Sequence, residues 1–145
     1  MTNNEYINAY KKTQQSSNTV ISSHEIVRTL MKELVNSMQK IVLDIQNDRA
    51  RKKDIFVVDK TLEEKNAQNK SKNLTKSLSI IYGLQTSLDF DKALELANNL
   101  FQLYEYCRHE IIRGFSQKIE HGIIKAIDVV NQIMEGWEEI PSLER

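Results

Sequence analysis

Between Ser23 and Asn47 the apolar residues Ile26, Val27, Leu30, Leu34, Val35, Met38, Ile41, Val42 and Ile45 recur at steps of three and four. That spacing gathers them on one stripe of a helix and leaves the rest of its circumference polar. Ser22 marks the start: its hydroxyl can accept from the amide of Glu25 while the Glu25 carboxylate reaches back, a capping box. The pattern predicts a helix over 23–47. A shorter stripe, Leu74, Leu78, Ile81, Leu84 or Gln85, and Leu88, predicts a second over 72–88, in which Gly83 costs about 1 kcal/mol relative to alanine. After Asp89, read as a cap, Ala93, Ala97, Leu100, Tyr104, Cys107 and Ile111 alternate steps of four and three, with Leu96, Leu103 and Phe115 widening the seam. The third helix is expected over 91–114. Ile119, Ile123, Ile127, Val130, Ile133 or Met134, Trp137 and Ile140 form the last stripe, which Pro141 stops because proline has no amide donor.

The segment 49–73 keeps no helical period and is rich in Lys, Asn, Gln and Ser, so it reads as a long, flexible connection. Within it Ile55, Phe56, Val57 and Val58 are too few to show a period. They fit an extension of the first helix, a cap on the bundle end or a brief extended stretch. Near the N-terminus Tyr6, Ile7 and Tyr10 give about two helical turns a small apolar face, and the polar run 14–19 tethers it. Such a segment is too short to hold a helix alone. The expected fold is all-α: an antiparallel up-and-down four-helix bundle, one domain over 1–145, with residues 1–20 as a lid and tether.

Composition sharpens this. Four Gly and one Pro are too few to turn an all-β chain, and 145 residues with 40 % apolar side chains fill one core. Twenty Lys and Arg balance twenty Asp and Glu, so no overall positive field gathers nucleic acid or an anionic membrane. The distribution is uneven: 49–76 carries nine basic and four acidic residues, while 77–145 carries six and eleven. The basic stretch reads as a solvated surface. The lone Cys107 cannot form an intrachain disulfide, and the N-terminus has neither a basic head nor an apolar signal core, so a reducing cytoplasm is expected. No run of about twenty apolar residues predicts a membrane span.

Reactive machinery is missing from the pattern. A di-iron bundle needs Glu-x-x-His twice, but Ile21, Tyr106 and Lys118 stand three residues before His24, His109 and His121. Glu105 and His109, four apart, read as a surface pair. The four glycines are isolated, so no phosphate loop exists, and Cys107 on the inner seam reads as a buried hydrophobe. No enzyme, cofactor or metal is expected. Binding is the function left.

Three stretches resemble the flagellar secretion chaperone family FliS. The first is Ile7-Asn8-Ala9-Tyr10, followed by Ser22-Ser23-His24-Glu25-Ile26, with Ser23 where the family has Pro. The second runs from Ser87-Leu88-Asp89 through Ala97-Asn98-Asn99-Leu100 to Leu103-Tyr104-Glu105-Tyr106, similar to the family's Leu-Asp, Ala-x-Asn-Leu and Leu-Tyr-x-Tyr signature. The third is Gly136-Trp137-Glu138-Glu139-Ile140. Two departures stand out: Ala93-Leu94 replaces a Gly pair, and the first connection is longer by roughly fifteen residues. The resemblance implies a chaperone that binds the C-terminal segment of flagellin, prevents its polymerisation and delivers it to a flagellar export gate component. It also implies that Ile7 and Tyr10 are lid residues and that cargo contacts lie among Leu100, Leu103, Tyr104 and Tyr106. Tyr106, off the main seam, is the better contact, Ile26, Leu30 and Leu34 are core, and Trp137 is a packing anchor. The alternative is a helical adaptor without catalysis, forming a homodimer or holding another partner through the basic stretch.

Overall fold

A computed structural model of the chain describes residues 4–7, 23–51 and 60–139. Four long helices follow one another: α1 (Ser23–Arg51), α2 (Lys60–Thr86), α3 (Leu94–Gln117) and α4 (His121–Glu139). Each packs on its chain neighbour, α4 closes back onto α1, and no strand occurs among the described residues. The all-α bundle read from the sequence is the fold observed.

The core is the set of stripes. Leu30, Met31, Leu34, Met38 and Ile41 of α1 meet Ile80, Ile81 and Leu84 of α2, Tyr104, Cys107 and Ile111 of α3, and Ile123, Ala126 and Val130 of α4. Tyr104 is the largest fully buried side chain, and burial raises the pKa of its phenol well above the usual value. The α3–α4 corner is tight. A Cβ on Gly114 would come within 2.6 Å of the Ile119 carbonyl oxygen and 2.6 Å of Ile123 Cδ1, so only glycine lets α3 approach the start of α4 this closely. Lys118 turns the chain there with φ 57°, and its backbone N–H donates to the Gly114 carbonyl.

At the opposite end α1 and α4 hold each other reciprocally. His24 Nε2 donates to the Trp137 carbonyl at 2.6 Å, Trp137 Nε1 donates to the His24 carbonyl at 3.0 Å, and the rings stack 5.0 Å apart at 6°. Trp137 lies in the last turn of α4, so His24 satisfies a carbonyl with no partner inside the helix. The half-buried Trp137 thus serves as the anchor expected of it.

Several boundaries move. The largest correction concerns 49–73: α1 continues to Arg51 and α2 starts at Lys60, so 60–73 is helix rather than connection. Its side chains show no apolar period because this part of α2 borders no core. It meets α1 through polar groups instead, with Lys70 donating to Asp48 and Asn73 Nδ2 to Asp44 Oδ2 at 3.3 Å. Asp89 does not cap α3. Its Oδ1 accepts from the amides of Asp91 and Lys92 at 3.1 and 3.0 Å, closing a turn, and the helix begins at Leu94. Ile119 sits exposed in the α3–α4 corner, outside the last helical stripe. Ser22, the run 55–58, Tyr10 and Pro141 lie outside the described residues.

Candidate functional site: an exposed apolar stripe and a docked N-terminal turn

The side chains of α3 sort into two groups that the sequence alone places together. Tyr104 is buried at 2 % exposure, so it belongs to the core and presents no surface for a partner, which corrects its place among the contact residues. Leu100 is half-buried against the core. Leu103 and Tyr106 are exposed at 39 % and 37 %. Leu96, outside the expected contact set, is exposed at 47 % and stands seven residues before Leu103. The spacing of 96, 103 and 106 puts the three on one stripe, a signal legible once the inner seam is fixed on Tyr104.

Two contacts orient that stripe. Glu110, seven residues after Leu103, places its carboxylate where a Cβ on Gly122 of α4 would lie. On the other edge of α3, Glu105 accepts from Gln85 Nε2 of α2 at 2.9 Å. The stripe therefore runs along the edge that borders α4. Cys107 Sγ donates to the Ala126 carbonyl at 3.7 Å, which sets the antiparallel register. In that register Leu103 is level with buried Val130 and Leu96 with half-buried Trp137, one residue beyond Gly136, where an added Cβ would meet nothing within 4 Å. Leu96, Leu103 and Tyr106 thus form an exposed apolar stripe on α3.

The second feature is the N-terminal turn, residues 4–7. Tyr6 packs against the edge of the core, with Lys76 Nζ 6.0 Å from its ring centroid. Ile7 Cδ1 lies 2.9 Å from where a Cβ on Gly83 would stand, so the missing side chain is the notch that holds it. Gly83 then has a role that helix propensity does not reveal. Ile7 meets α2, whereas the α3 stripe borders α4, so the structure does not bring Ile7 together with Leu103 and Tyr106.

The chemistry of the remaining polar groups is that of ion pairs. Arg108 grips Glu105 with two bonds of 3.0 Å, and together with Gln85 it holds the Glu105 carboxyl down at about 2. Arg49 does the same to Glu120 at the α3–α4 corner, also at about 2. Both folded values lie below the ordinary 4.5, so the stability these carboxylates contribute is fully present above pH 4.5 and lost as pH falls toward 2. The urea midpoint is expected to drop across that window, and the Glu105→Gln, Glu120→Gln double variant to show a flatter drop. An unchanged acid profile would contradict the pairing. His109 Nε2 lies 3.8 Å from Glu105, and among the described residues no cluster of three or more His, Cys, Asp or Glu forms. Burial, with Glu110 nearby, pushes the Cys107 thiol up to about 12, so no thiolate nucleophile exists at neutral pH. No described helix is long and apolar enough to cross a membrane.

A family model described as Flagellar protein FliS matches residues 6–144. The flagellar secretion chaperone FliS of Vibrio cholerae serotype O1 is 26 % identical over 136 residues, covering 93 % of this chain and 88 % of that protein. The flagellar secretion chaperone FliS of Salmonella typhimurium is 30 % identical over 80 residues, covering 54 % and 59 %. No solved structure matches at a significant level. With a helical bundle and a family match over nearly its whole length, the chain belongs to the FliS family of flagellar secretion chaperones.

Proposed function

We propose that this chain is a cytoplasmic chaperone that binds the C-terminal helical segment of flagellin, keeps it from polymerising before export and hands it to the export apparatus. The observation that carries this reading is the exposed apolar stripe of Leu96, Leu103 and Tyr106 on α3. An unfolded segment with apolar helical faces is prone to self-association, and laying one face against such a stripe hides it without any chemical step. The N-terminal turn is the lid: Ile7 fills the Gly83 notch until cargo replaces it. Because the notch on α2 and the stripe on α3 lie on different helices, a cargo that occupies both must wrap the bundle.

Calorimetric titration with the C-terminal segment of flagellin tests the reading. Stoichiometric binding with a large negative heat-capacity change is expected, since cargo orders and buries apolar area. No heat and no complex at micromolar concentrations would remove the assignment.

A further inference from the structure

The face of α2 beneath the N-terminal turn holds an unmet demand. Ser77, Ile80, Ile81 and Leu84 set the inward side of α2, and a pitch of 100° per residue turns Ser79 and Gly83 away from it. Both are nevertheless buried. Gly83 is covered by Ile7, and Lys76, three residues before Ser79, faces Tyr6. Ser79 lies between these two contacts at 2 % exposure, and its hydroxyl has no hydrogen-bond partner. This is not how the chain treats its other serines. Ser37 and Ser77 donate to the carbonyl four residues back at 2.9 Å, and Ser87 to the carbonyl three residues back at 2.9 Å.

A buried hydroxyl without a partner destabilises the arrangement that buries it. The chain's own turn therefore fits the notch by shape and leaves the polar position beside it unsatisfied. We propose that Ser79 and Gly83 form a two-point recognition site for an amphipathic helix. Such a helix sets an aliphatic side chain against Gly83 and, one turn away, an Asn, Gln, Ser or Thr against the Ser79 hydroxyl. The shape term is common to the chain's own turn and to cargo; the hydrogen bond belongs to cargo alone, and it tips the exchange. The inference rests on the flagellin-chaperone reading and adds the residues that discriminate between self and cargo.

The test uses the full-length chain, the Ser79→Ala variant and the C-terminal segment of flagellin as probe. Removing the hydroxyl is expected to have opposite effects on the two states. The melting temperature of the unbound protein rises or holds, while the dissociation constant for the segment increases about fivefold, the change that one lost hydrogen bond gives. Loss of a purely structural serine would instead lower both the melting temperature and the affinity. Repeating the pair in an Ile7→Ala background separates lost cargo contact from tighter closure: the fivefold loss persists if the hydroxyl meets cargo. Loss of the difference in that background, or equal affinity of Ser79→Ala and the parent, overturns the two-point site while leaving the chaperone reading in place. A parent protein that binds no segment overturns both.

Discussion

Replacing Leu103 and Tyr106 together with glutamate is expected to weaken binding of the flagellin segment by on the order of a hundredfold while the bundle stays folded. Each side chain is already more than a third exposed, so a charge there meets water in the unbound protein and costs little. Under the proposed reading cargo covers these two positions, and a carboxylate at either would be stripped of water in the complex. Losses of about 3 kcal/mol at central contact residues correspond to that hundredfold change. Calorimetry reads the affinity, and a melting curve within a few degrees of the parent shows that the fold is intact. Unchanged affinity in a folded double variant would exclude the α3 edge as the cargo surface.

The neighbouring tyrosine should behave in the opposite way. Tyr104→Ala removes the largest fully buried side chain from the junction of the four helices, and the cavity left behind closes only in part. Truncations of large aromatic core residues cost about 3–5 kcal/mol. At roughly 3 °C per kcal/mol for a chain of this size, the melting temperature should fall by about 10–15 °C. Below the new midpoint, cargo affinity should change far less than in the Leu103, Tyr106 variant. A melting temperature within a couple of degrees of the parent would mean that Tyr104 is not the keystone its burial indicates. Two tyrosines a single residue apart thus differ in place, one sealed in the core and the other reaching solvent.

That division also shows where the sequence is legible. The start of α1 at Ser23 and the four inner stripes follow from spacing, because one face of each helix must meet a common core and the apolar period records it. The limits of α2 escaped because its first turns pair with α1 through Lys70, Asn73, Asp44 and Asp48, and polar pairing leaves no hydrophobic period to read. The start of α3 was placed three residues early because aspartate serves turns as well as helix caps, and Asp89 here does the former. Within the candidate site, Tyr104 and Tyr106 share one motif, and only the seam through Ala97, Cys107 and Ile111 tells which faces inward. Gly83 and Ser79 were unreadable for a different reason. Their significance depends on what lies against them, and no local pattern in α2 announces the arrival of Ile7.

The early part of α2 has one more consequence. Arg49 bonds Glu120 at the α3–α4 corner, and neighbouring Asp48 bonds Lys70, so residues 60–69, about 15 Å of helix, extend past the level of that corner. Leu62, exposed at 51 %, rides near the tip of this overhang. Seven residues, two full turns, could be spliced in or cut out there without rotating any inner side chain away from its neighbours. The overhang is the place where this scaffold can change its reach and leave its interior untouched.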